Sequence, residues 1–174
     1  SSLPGRNFND KGQLQSQNNF KGGTVFCDAA SCYLSIHHQV GFTAHETIRS
    51  KVTFEREAMQ VGTTIQSYNT DNGIHMTKEF NFELEKNLQS ICMSGVGAHH
   101  QNGPAENAIK NVSRKAWIMM FHAALRWPDQ NDNTVWPLAM NYAVHLHNNT
   151  PKAHDGLCPV EIWSTSKSNY SHLR

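Results

Sequence analysis

The sequence is poor in charge of either sign, in long apolar runs and in cysteines placed to work together. Its 15 Lys and Arg stand against 14 Asp and Glu, a net charge of +1. That balance excludes a global basic field for nucleic acid, so any DNA affinity must come from local clustering. No apolar run approaches the ~20 residues of a membrane span, and no secretory leader is visible, so no membrane partner is expected. Cys27, Cys32, Cys92 and Cys158 form no metal-type pair and no disulfide framework, which suits a reducing compartment. Eleven histidines invite a zinc site, yet none stands with cysteines at finger spacing. Cys27 and Cys32 ahead of His37-His38 are a weak pattern. Hydrophobic residues make up 38% of the chain and mean hydropathy is −0.57, low for a compact domain and suggestive of a missing or decayed core. At 174 residues a single domain is expected.

What is present organises itself from Gly22 onward. Residues 1–21 are polar and read as a lead-in without alternation. Thr24 to Asp28 reads as a short buried strand, Ala29-Ala30-Ser31 as a turn, and Tyr33 to Val40 as the antiparallel partner. Thr43-Ala44-His45-Glu46 has the form of a capping box. The helix it opens puts Ala44, Ile48, Val52, Phe54, Ala58 and Met59 on one broad face and stops at Gly62. Thr63 to Tyr68 is the next strand. Thr77 to about Leu88 is a helix with Phe80, Leu84 and Leu88 at four-residue steps, and Ser90 to Met93 is a short strand. The glycines of the following loop, Ser94 to Asn102, argue for mobility. From Gly103 a long helix carries Ala105, Ala108, Ile109, Val112, Ala116, Met119, Met120 and Ala123 as a core stripe, ending at Leu125-Arg126-Trp127-Pro128. Thr134 to about His147 is a further helix, with Trp136, Leu138, Ala139, Ala143 and Leu146 for packing. A short helical turn is expected near Pro159 to Trp163. Neither repeats nor low-complexity segments occur.

Two carboxylates stand out, 35 residues apart: Asp71 in Thr70-Asp71-Asn72-Gly73, past the end of a strand, and Glu106 in Gly103-Pro104-Ala105-Glu106, in the first turn of the long helix. Read singly, Asp-Asn-Gly is a favoured turn and Glu106 a carboxylate complementing a helix dipole. Read together they are oxygen ligands on two rigid supports, the kind of donor a hard divalent cation takes. Lys110 and Arg114 follow Glu106 at i+4 and i+8 on the same side of the helix. A solvated charged face explains most such rows; a phosphate contact is the alternative. Gln101 and Asn102 can donate and accept, as base or sugar contacts require. His99 and His100 read as solvated loop residues.

These stretches resemble the catalytic core of retrotransposon integrases, specifically the copia-like branch. The motifs are Thr70-Asp71-Asn72-Gly73, His99-His100-Gln101-Asn102-Gly103-Pro104-Ala105-Glu106, Trp136-Pro137-Leu138-Ala139 and Cys158-Pro159-Val160-Glu161-Ile162-Trp163. The likeness runs from Gly22 to Arg174. It implies an α/β fold, an RNase H-like mixed sheet flanked by helices, with an Asp, Asp, Glu triad holding two magnesium or manganese ions. Asp71 would be the second carboxylate and Glu106 the third, both catalytic and metal ligands. Lys110, Arg114, Gln101 and Asn102 would contact DNA, the element ends and the target being the partners. The resemblance further implies a homo-oligomer and a nuclear location for the parent protein. Residues 22–150 would form the core and 151–174 a post-core segment.

In this family three antiparallel strands precede the first helix, and only two are legible here. The first, which carries the first Asp, precedes the segment resembling Ser1 to Arg6, and Ser171 to Arg174 resembles the start of a motif that continues. The chain, beginning with Ser1 and not Met, is therefore expected to be a fragment lacking the first strand. Strand order makes Asp28 a turn residue and not a substitute for the missing Asp. The hairpin and the Thr63–Tyr68 strand should then lack the strand between them, and the isolated fragment should be poorly stable. Four positions depart from the family: Pro104 for Val, Asn107 for Arg, Trp117 for Arg and Cys32 for Gly. They favour, as the alternative, a decayed or co-opted DNA-binding module without catalysis. An RNase H-type nuclease shares the fold and metals but finds no support in the His-His-Gln-Asn-Gly loop.

Overall fold

A computed structural model describes residues 4–9, 11–15, 19–70, 77–93, 103–130, 132–152 and 156–167. The alternating run after Lys21 forms a hairpin. Strand β1 (Gly22–Cys27) pairs antiparallel with β2 (Leu34–Gln39), Gly22 opposite Gln39 and Cys27 opposite Leu34. Asp28 ties the turn: its carboxylate accepts from the Ser31 N–H and the Ser31 hydroxyl, both at 2.7 Å. Asp28 is a turn residue, as strand order predicts.

Helix α1 (Ala44–Gln60) starts where Thr43 Oγ1 accepts from the Glu46 N–H at 3.3 Å. The reciprocal bond from the Glu46 carboxylate is absent among the described hydrogen bonds, so half of the expected box forms. The buried stripe is Thr47, Ser50, Lys51, Phe54 and Ala58. Val52 and Met59, expected inside, are exposed. The stripe passes through polar residues because each finds a partner: Thr47 and Ser50 hydroxyls bond carbonyls one turn back, and Lys51 pairs with Glu55.

Next come β3 (Ser67–Thr70), α2 (Lys78–Lys86) and β4 (Ser90–Met93). The strand expected over 63–68 lies further on, because only from Ser67 does β4 supply a parallel ladder. Thr77 caps α2, with Phe80 and Leu84 buried. Leu88 has left the helix, with φ 54°, and is exposed. The long helix α3 (Gly103–Arg126) starts as predicted. Ala108, Val112 and Ala116 are buried, whereas Ile109 and Ala123 are exposed. Helix α4 (Trp136–Asn148) follows a short 3-10 turn, and its Leu138 is exposed. Helix α5 (Pro159–Ser164) replaces the expected single turn.

The hairpin is covered on both faces. Leu34, Ala108, Val112, Ala116, Ala143 and Val144 form one core against Val25, Cys27 and Ile36. On the other face Phe26 stacks on Phe54 at 4.6 Å, and Trp163 stacks on Tyr33 at 5.0 Å. Alternate β1 side chains thus meet α3 on one side and α1 on the other. The lead-in is ordered by its contacts with the start of α4. Arg6 pairs with Asp132 and donates to Thr134 Oγ1 at 3.0 Å. Gly5 approaches so closely that a Cβ would lie 2.5 Å from Pro137 Cγ. Among the described residues, strands β1–β2 and β3–β4 form separate two-stranded sheets.

Candidate metal and nucleic-acid site

Between the two sheets lies a cavity of about 420 Å³. Thr24 to Ala29 form one wall and Thr63 to Thr70 the other, with Phe54, Phe80 and Ala105 completing the lining. Thr70 closes β3 immediately before Asp71, and Ala105 immediately precedes Glu106. The supports of the two predicted carboxylates therefore border one space. Asp71, Gln101 and Asn102 themselves lie outside the described residues, as do His99, His100 and the loop expected to be mobile.

Glu106 occupies the first turn of α3 and is exposed. Among the described residues its carboxylate has neither hydrogen bond nor ion pair, so its oxygens are available to a cation. Asp28 also lines the cavity, but its carboxylate is engaged by Ser31. Lys110 and Arg114 are exposed, and helical spacing sets them on the side of Glu106, away from buried Ala108, Val112 and Ala116. Trp117 is 61% exposed. Among the described residues there is no cluster of three His, Cys, Asp or Glu that could hold a metal ion.

The far wall is fixed by a group invisible to motif reading. Glu55 Oε1 accepts from the Tyr68 hydroxyl at 2.8 Å and from Gln89 Nε2 at 2.5 Å. The fully buried Lys51 ammonium lies 2.8 Å from the same oxygen, off the direction of a hydrogen bond, so that contact is an ion pair. Gln89 also donates to the Ile65 carbonyl at 2.9 Å. Burial, then the Glu55 bond, pushes the Tyr68 hydroxyl pKa up, which keeps it a donor. The i,i+4 spacing of Lys51 and Glu55 was the only signal in the sequence. On the near wall, burial pushes the Cys27 thiol up to about 11, with Cys32 and Asp28 adding to it, so it presents a thiol and no nucleophilic thiolate. A second polar cluster sits under α1: Ser35 Oγ donates to Glu57 at 2.7 Å and lies 3.0 Å from His37 Nε2. Burial lowers the His37 pKa against the opposing pull of Glu57, leaving a neutral ring in a packing network.

No family model matches the chain, and no curated protein sequence matches it. Solved structures do. The chain of the HTLV-2 integrase catalytic core domain in complex with magnesium, in its trimeric form, superposes at a TM-score of 0.59 with 17% identity, over 92% of this chain and 91% of that one. The catalytic core domain of BIV integrase gives 0.57 at 14%, over 80% and 82%. A chain of the simian T-cell lymphotropic virus intasome in complex with PP2A regulatory subunit B56 gamma gives 0.66 at 16%, over 87% of this chain. The match spans about half the length of that intasome chain, 51%. The fold is therefore that of the retroviral integrase catalytic core, an RNase H-like α/β fold. No described helix is long and apolar enough to cross a membrane.

Proposed function

We propose that the chain is part of a retrotransposon integrase core, in its parent a phosphodiester transferase that joins element DNA to target DNA. The observation that carries this reading is the shared cavity: the immediate neighbours of Asp71 and Glu106 line it together. Asp71 and Glu106 are two of the metal ligands. Two carboxylates on a strand end and a helix start are hard oxygen donors of the kind magnesium or manganese takes. The bound ions would activate the attacking oxygen and stabilise the leaving one. The chain's own contribution is to hold the carboxylates rigidly and the DNA beside them. Lys110 and Arg114 meet phosphates; Gln101 and Asn102 meet bases or sugars. The parent acts as an oligomer, in the nucleus. A second reading, a DNA-binding module that has lost catalysis, is favoured by exposed Trp117 and by Asn107, where the family has arginines.

Manganese titration followed by NMR tests the first reading. Paramagnetic broadening should centre on the amides of Thr70, Ala105 and Glu106, and Glu106→Gln should remove it. Broadening centred elsewhere and indifferent to Glu106→Gln would sink the metal assignment. Strand transfer by the 174-residue chain alone is expected to be absent, since two carboxylates leave two hard cations short of ligands.

A further inference from the structure

Another cavity, of about 330 Å³, lies between α3 and the start of α4. Two indoles border it, Trp117 from α3 and Trp136 from α4, and Ala116, Met120 and Met140 add apolar surface. Its polar lining residues are Lys21, Ser113 and Asn133, and no acidic residue lines it. Among the described residues the side chains of these three have no hydrogen bond, so each is available to a guest.

The two indoles are held differently. Trp136 is half-buried and meets the His38 ring edge-on at 5.3 Å. It lies so close to Gly5 that a Cβ there would sit 2.7 Å from the indole. Trp117 is exposed and has no ring contact among the described residues. One wall is fixed, and the other offers an aromatic face that nothing described covers.

Position along α3 ties this cavity to the proposed metal site. Glu106, Lys110, Ser113 and Trp117 follow one another at i, i+4, i+7 and i+11, one face of the helix. At 1.5 Å per residue the row runs about 16 Å from carboxylate to indole, the reach of a few nucleotides. Exposed Arg114 flanks the row one turn before Trp117. A strand laid along this face passes the carboxylate, then the cations, then the cavity.

We infer that the cavity takes an unpaired nucleobase from a DNA strand whose phosphates run along Lys110 and Arg114. The inference rests on the DNA-binding part of the function proposed above and deepens it, naming a single-stranded stretch as the substrate. Stacking on an indole needs a free base face, and a base inside a duplex has given its faces to its neighbours. An unpaired base offers that face to Trp117 and edge donors and acceptors to Asn133 and Ser113. Its phosphate offers negative charge to Lys21, the one charged residue of the lining. An apolar peptide side chain would fill the same space and use neither the polar lining nor the cations beside it.

The test is binding of a short oligothymidylate to the 174-residue chain, followed by indole fluorescence and by the anisotropy of labelled DNA. An abasic strand of equal length and a blunt duplex serve as controls. The oligothymidylate should quench the fluorescence and bind more tightly than the abasic strand. Trp117→Ala should weaken its binding about tenfold or more, the loss of one stacked base, while Trp117→Phe keeps most of the affinity. Duplex affinity and the salt slope should not change in Trp117→Ala, because no phosphate contact is lost. Equal affinity for the oligothymidylate and the abasic strand would overturn the inference. So would parental affinity in Trp117→Ala; duplex binding that still needs Lys110 and Arg114 would then leave the proposed function standing. Failure of every DNA probe to bind would sink both. A fluorescence change that follows protein concentration without DNA would put a second copy of the chain in the cavity and overturn it as well.

Discussion

The two edges of the β1–β2 hairpin differ in what the chain spends on them. At Leu34 a single buried amide, Asn148, satisfies both peptide groups, as a neighbouring strand would. At Val25 and Cys27, on the opposite edge, no described residue plays that part, and the space beyond is the cavity bordered by Thr70 and Ala105. Buried peptide groups are almost always paired, so a satisfied edge marks where a sheet ends and an open one where it continues. The proposed site borders the open edge.

The largest effect is expected where the far wall of the cavity is pinned. Glu55→Ala removes the acceptor of Tyr68 and Gln89 and strands the buried Lys51 ammonium without a counter-charge. Breaking a buried pair from one side costs about 3–5 kcal/mol. Urea unfolding measures it, and a loss under about 1 kcal/mol would mean that β3 is not held through Glu55. The double change Lys51→Met with Glu55→Leu should recover much of the loss, since an apolar pair carries no desolvation cost.

The closed edge comes next. Asn148→Leu keeps the volume but leaves the Leu34 N–H and carbonyl without partners, at a cost of about 1–3 kcal/mol. Exchange of the Leu34 amide should rise toward that of Val25 and Cys27, erasing the contrast between the edges. If the Leu34 amide stays protected in Asn148→Leu, the edge is closed by something other than this side chain.

Most of this architecture is legible in the sequence, and the exceptions share one cause. Periodicity placed the hairpin, α1, α2, β4 and α3, because each has a local pattern that its own backbone satisfies. Strand β3 was misplaced by several residues because a parallel strand is defined by its partner, and only Ser90 to Met93 decides where the ladder begins. The α1 stripe was misread at Val52 and Met59 because burial followed hydrogen bonding through Thr47, Ser50 and Lys51 instead of apolarity. Glu55 and Asn148 carry no motif at all: their value comes from residues 34 and 114 positions away, Gln89 and Leu34. Glu106 stood out because a helix start gives its carboxylate a local reason to be there, and the resemblance gave it a second. Asp71, Gln101 and Asn102 rest on the resemblance and on the position of their neighbours.

A smaller effect is expected at the turn that joins the two edges. Cys32 has φ 57°, in the left-handed region that glycine enters freely, and the resembling family has Gly at this position. Cys32→Gly should stabilise the chain by up to about 1 kcal/mol, relief of steric strain exceeding the entropy lost to glycine. The Asp28–Ser31 bonds and the His147 contact with the Cys32 carbonyl involve no Cys32 side-chain atom, so neither edge should change its exchange rates. A destabilised variant would show that the Cys32 side chain contributes packing larger than its strain.

The smallest effect on stability, and the one that separates α3's two sides, concerns Lys110 and Arg114. Ala108, Val112 and Ala116 face the core, while the basic pair is exposed on the side of Glu106. Lys110→Ala and Arg114→Ala should leave unfolding within about 0.5 kcal/mol of the parent, since exposed substitutions remove little packing. Their consequence belongs to DNA. With a net charge of +1 the chain has no global field to compensate, so losing a phosphate contact should weaken binding alike for all sequences. Each variant should lower the slope of log affinity against log salt by roughly one ion. Equal DNA affinity of parent and both variants across the salt series would reduce the row to a solvated face. The DNA contact would then have to lie elsewhere on the chain.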